Sequence, residues 1–201
     1  MIRSTPYRNF FLSLTFLSLF QLAACQSEAP APEVETTAAA QRSIEVIADE
    51  FLAAMLVRRP GLATNYSIEG ARHDRLFDNS LDARTDWHAR EDAWLAELEA
   101  IGEPTDIGSR DWVTFGILHE QLAGAKAIRI CRKELWETST TTAWYNGMPF
   151  VFDIQPLETD DLKAQALARL GAVDQYIDTE IVNLKLGLAK GYSSPRLTVE
   201  A

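Results

Sequence analysis

The chain has 201 residues, 47% hydrophobic and 24% charged, the composition of an ordinary globular protein with room for one domain. Its 29 acidic side chains outnumber 19 basic ones, for a net charge of −10. That balance disfavours binding along a phosphate backbone, which needs Lys and Arg to displace counterions, so no nucleic-acid partner is expected.

The first residues read as a targeting segment. "MIRSTPYRN" carries two arginines and no acid, and the apolar run "FFLSLTFLSLFQLAA" leads to Cys25, the layout of a secretory signal. The run is short and interrupted by Ser and Thr, so it does not read as a bilayer-spanning helix. An ordinary signal peptidase wants small residues at −3 and −1, and Leu22 is wrong for it. Leu22-Ala23-Ala24-Cys25 instead resembles the bacterial lipobox, in which the cysteine is lipidated and becomes the new N-terminus. Acyl chains contribute about 0.8 kcal/mol per buried CH₂, so more than one chain on Cys25 anchors stably. Gln26 in place of Asp resembles the outer-membrane address, which places the expected protein on that membrane, facing the periplasm. Removing residues 1–24 takes Arg3 and Arg8, leaving 17 basic against 29 acidic side chains, a net of −12. Such a protein is repelled by anionic lipid, so the anchor must do the holding. With Cys25 lipidated, Cys131 has no partner for a disulfide and no CxxC motif exists. Cys131 is expected as a packed apolar residue on a helix.

"QSEAPAPEVETTAAAQ", Gln26 to Gln41, has almost no large apolar side chain. It cannot bury a core, so residues 25–41 read as the lipidated cysteine and a flexible tether. A helical domain is expected over 42–201. Ser43 can cap a first helix with Ile44, Ile47, Phe51, Leu52 and Met55 on one face, interrupted at Pro60-Gly61. "GLATNYSIEGARHDRLFDNS" is a polar connection with room for one short helical turn. The next helix runs from about Leu81 to Ile101, with Trp87, Trp94, Leu95, Leu98 and Ile101 inward and Gly102 as its stop. Ser109 caps a long helix through Trp112, Phe115, Leu118, Leu122 and Ala125, with a continuation to about Leu135 allowed.

"ETSTTTAWYNGMPFVFDIQP" breaks the pattern. Asn146-Gly147 is a tight-turn signal and Pro149 argues against a central strand. Thr159 caps a helix carrying Leu162, Leu167 and Leu170, with Asp160 and Asp161 in its first turn, where they favour the helix dipole. After Gly171, a further helix presents Val173, Tyr176, Ile177, Ile181, Leu184 and Leu188 as one stripe. Gly191 closes it, Ser194 caps the next, and Pro195 sits at a first helical position. The chain then stops within seven residues, too short a helix to stand alone. The fold class is all-α, an irregular helical bundle.

No catalytic constellation is visible. "HEQLA", His119 to Ala123, is half of a zincin motif with Ala where the second histidine belongs, so no metal is expected there. His88 and Glu91 reverse the di-iron order and read as a solvated ion pair; His73 is the third histidine. Lys126, Arg129 and Lys133 read as a solvated basic face. No nucleophile elbow, phosphate loop or dinucleotide fingerprint appears. "AWYNGMPFVF" supplies Trp144, Tyr145, Met148, Phe150 and Phe152 within nine residues. It is either core that plugs a groove between helices or the wall or lid of an apolar binding cleft.

Taken together, the lipobox, the tether and "FLAAMLVRRPGLATNYSIEGARHDRL" resemble the opening of the bacterial domain of unknown function 885 lipoproteins. Pro60 to Thr64 fits their "P-x-x-A-T" segment, and Asp74-Arg75-Leu76 their "DRL". Leu184, Gly187, Gly191, Pro195 and Arg196 fit the recurrent "L-x-x-G-x-x-x-G-x-x-x-P-R". Full-length relatives are longer and look like zinc-dependent peptidases, with a His-Glu-x-x-x-Gly-His type helix in their later part. The resemblance therefore implies the incomplete N-terminal portion of a larger helical metallopeptidase-like fold, with zinc and peptide substrate belonging to the full-length form only. No residue here takes a catalytic or metal role, and the chain alone is expected to be inactive. The alternative is a small helical envelope lipoprotein acting as a binding or assembly module.

Overall fold

The computed structural model describes residues 42–139 and 143–199. The signal segment, the lipobox Leu22 to Cys25 and the tether through Gln41 lie outside the described residues. So do residues 140–142 and the last two of the chain.

Three helices form the core: α1 (Ile44–Arg58), α3 (Leu81–Ile101) and α4 (Arg110–Ile128), with the short α2 (Pro60–Asn65) following α1 directly. Ser43, Ser80 and Ser109 start the three long ones in the same way. Each hydroxyl accepts from the backbone N–H three residues on, at 3.3, 3.2 and 3.2 Å, satisfying a donor that the first turn leaves open. Ile47, Leu98 and Leu122 are fully buried where the helices meet, and each such side chain contributes about 1.5–3 kcal/mol of burial. The Trp94 ring meets Phe51 and Trp87 edge-on, at 5.6 and 5.7 Å. Leu52, expected inward, is instead half-exposed, and Ala54 takes its place in the core.

α4 does not run to Leu135. It stops at Ile128 and gives way to two 3₁₀ turns, Arg129–Cys131 and Lys133–Leu135, separated by a left-handed Arg132 at φ +46°. The turn swings Leu135, 1% exposed, into the interior. Cys131, expected as packed, is exposed.

The second layer holds α5 (Trp144–Asp153), α6 (Asp160–Gly171), α7 (Val173–Ala189) and α8 (Arg196–Val199), and no strand occurs among the described residues. α5 corrects the sequence reading: the segment with Asn146-Gly147 and Pro149 is helical. Tertiary contacts outweigh its poor helix formers. Trp144 and Val151 share one face; the first packs on Tyr176 at 5.1 Å between ring centres, and the second lies against Gly61. α6 and α7 correct it again. Leu167, Leu170, Ile181 and Leu188 are exposed, and the buried positions are Arg169, Tyr176, Asn183 and Gly187.

The end of α7 is a Schellman turn. Gly191 has φ +82°, and the Tyr192 N–H reaches back to the Gly187 carbonyl at 2.9 Å. The Ser194 hydroxyl donates to the Trp136 carbonyl and accepts from the Thr138 N–H and hydroxyl at 3.2 and 2.6 Å.

Candidate functional site

The connection from α2 to α3 crosses the molecule as an irregular strap, and one buried side chain holds it. Arg169, 0% exposed, spends its guanidinium on three acceptors. Nε donates to the Arg75 carbonyl at 3.0 Å, one terminal nitrogen to Gln155 Oε1 at 2.6 Å, and the other to Thr64 Oγ1 at 3.0 Å. Thr64 Oγ1 also meets His73 Nδ1 at 2.9 Å. Gln155 Nε2 donates to the His73 carbonyl at 3.0 Å, and the His73 N–H donates to Gln165 Oε1 at 2.7 Å. Burial, and then the Arg169 charge, hold the His73 pKa below the ordinary histidine value, which favours neutral imidazole. The hydrogen bond from Arg72 is the main cause that holds the neighbouring Asp74 down at about 2. This network is closed to solvent at its centre. Its effect is to fix Arg75, Leu76 and Phe77 along a small recess, and Phe77 also borders a larger open groove.

That groove, about 670 Å³, lies between α2, α5, α7 and the second 3₁₀ turn. Its apolar wall comes from Leu62, Phe77, Ile128, Trp144, Val151 and Tyr176. Trp144 faces it from α5 together with Gly147, and Met148 lines the adjoining recess. Tyr145, Phe150 and Phe152 do not line it. Tyr145 donates from its hydroxyl to the Ser139 carbonyl at 2.9 Å, Phe150 is 52% exposed, and Phe152 is half-buried.

The charged rim is what sequence reasoning missed. Arg59, Arg84 and Lys133 border the groove together with Glu134, Glu137 and Glu180. Arg58 packs its guanidinium 4.0 Å above the Phe77 ring and donates to the Asp78 carbonyl. Its pKa is lowered by burial first and then by the neighbouring Arg84. Most acids here are already engaged. Glu134 pairs with Arg132 at 2.6 Å and Glu137 with Lys133 at 3.6 Å. Glu180 accepts from Asn79 Nδ2 at 2.8 Å, and burial pushes its pKa up. The same burial, with the Glu180 charge beside it, raises the Tyr176 phenol to about 12.

Two further expectations are overturned nearby. Glu91 is buried, where a solvated pair with His88 was expected. It accepts from Trp87 Nε1 at 2.6 Å and pairs with Arg129 at 2.9 Å. Arg129 is likewise no solvated cation, since it also bridges to Asp92 at 2.8 Å. The cause is packing: Glu91 falls on the inner face of α3, one turn from Trp87 and Trp94, and needs a charge partner there. His119 lies stacked on Phe115 at the surface, 3.7 Å from Glu99. Among the described residues no group of three His, Cys, Asp or Glu side chains could hold a metal ion. No described helix is long and apolar enough to cross a membrane.

Fold and site together define an all-helical protein with an aromatic groove rimmed by charges of both signs. Residues 60–201 match the family model described as "Bacterial protein of unknown function (DUF885)", and the chain belongs to that family. No curated protein matches it.

Proposed function

We propose that this chain is the N-terminal helical portion of a lipid-anchored envelope protein, and that its groove forms one wall of a peptide-binding cleft. The groove itself carries the reading: it is open, of the size of a small-ligand site, and lined by both aromatic and charged side chains. The exposed apolar rows on α6 and α7, Leu167, Leu170, Val182 and Leu188 among them, support the portion reading, because further helices of the family fold would cover them. In this proposal Cys25 carries the lipid, the protein sits on the outer membrane facing the periplasm, and zinc chemistry belongs to the later part of full-length relatives.

Two measurements test it. Cells expressing the chain and fed an alkyne-tagged palmitate should label it, and Cys25→Ala should abolish the label; an unlabelled wild-type chain overturns the anchor. A peptidase assay on the purified 26–201 segment should show no turnover, and chelator-sensitive turnover would sink the assignment of catalysis to a later part.

A further inference from the structure

Within that groove, Arg59 and Arg84 form no ion pair and no side-chain hydrogen bond among the described residues. Arg84 Nε is buried and unpartnered, and so is Nε of the adjacent Arg58. Bringing like charges together with donors unmet is costly, and the nearby acids Asp78, Glu91 and Glu180 offset it only in part, with no ion pair to Arg59 or Arg84 among the described residues. Glu180 feels the Arg84 charge, but its carboxylate is bonded to Asn79 and lies beyond ion-pair distance of Arg84. Glu91 belongs to Arg129 and Trp87, Glu134 to Arg132, and Glu137 to Lys133. In a chain of net charge −10, a corner with uncommitted guanidinium groups is the place where an incoming anion gains most. The aromatic and aliphatic wall of Trp144, Phe77 and Leu62 stands directly beside it.

We infer that the groove binds the free C-terminal carboxylate of a peptide at Arg84 and Arg59, with the terminal apolar side chain against Trp144 and Phe77. Arginine suits this role because its planar fork matches both carboxylate oxygens. The inference rests on the peptide-cleft reading and names the end of the peptide that enters.

The test uses the full chain in detergent, with N-acetyl-Ala-Phe and its C-terminal amide as probes, read by titration calorimetry and tryptophan fluorescence. The free acid should bind about tenfold or more tighter than the amide, the worth of one charge-assisted contact. Arg84→Gln should bring the two within about twofold while leaving the melting temperature unchanged or raised, because Arg84 makes no ion pair or side-chain hydrogen bond among the described residues. Arg59→Gln, at an exposed position that cannot disturb folding, should narrow the gap in the same direction. Equal affinity for acid and amide, with Trp144→Ala abolishing both, overturns the carboxylate site and leaves the cleft standing. No binding of either probe, with tryptophan emission unmoved, overturns both.

Discussion

At the scale of single residues, Arg169 and His73 decide how the strap between α2 and α3 is held. Arg169→Met would leave Thr64, Gln155 and the Arg75 carbonyl without their common donor, at a cost of about 2–4 kcal/mol. A urea titration at neutral pH should show the loss as a lower midpoint with unchanged slope. The histidines predict a pH dependence of definite sign. His73 and His88 both have pKa values lowered mainly by burial. Each therefore binds fewer protons folded than unfolded. Their contribution is complete above the unfolded value of about 6.5 and is lost as pH falls below it, at up to about 1.4 kcal/mol per pH unit for each histidine. His73→Gln should remove one histidine's share of that slope; a slope unchanged by the substitution would show that His73 titrates normally.

At the scale of elements, the glycines of the family-like pattern have separate physical reasons. Gly191 takes the left-handed turn that ends α7, and Gly187 lets that helix touch another backbone, since an added Cβ would run into the Leu135 carbonyl. Gly187→Ala should therefore cost about 2–4 kcal/mol and lower the melting temperature by several degrees. Gly116→Ala, exposed on α4 with open space around it, should gain about 0.5–1 kcal/mol. The starts of α1, α4 and α6 were legible because serine or threonine caps and apolar spacing agree there. α5 was not legible, because Gly147 and Pro149 oppose a helix locally and contacts with Tyr176 and Gly61, far away in sequence, help to compensate. The groove's aromatic side could be suspected from "AWYNGMPFVF". Its cationic rim could not, because Arg59, Arg84 and Lys133 come from three separate elements.

At the scale of the molecule, two layers differ in what holds them. The α1–α3–α4 core is apolar and periodic, so it was readable along the chain. The second layer buries polar groups, and a stripe of leucines on α6 misled the periodicity into reading the outer face as the inner one. Leu167 and Leu170 are 69% and 57% exposed. The intact chain should therefore enhance the fluorescence of a hydrophobic dye, and Leu167→Lys with Leu170→Lys should reduce that signal without lowering the melting temperature. A signal indifferent to the pair would locate the sticky surface elsewhere.

The bonds from Arg169 and Gln165 span 92 to 105 residues of sequence, which imposes an order of assembly. A chain emerging N-terminus first can pack α1, α3 and α4 once α4 is out. The strap carrying Arg72 and Arg75 then stays loose until α6 arrives. The strap is thus held later than the α1–α3–α4 core, and in the interval its backbone beside Arg72 and Arg75 is open to a trypsin-like protease.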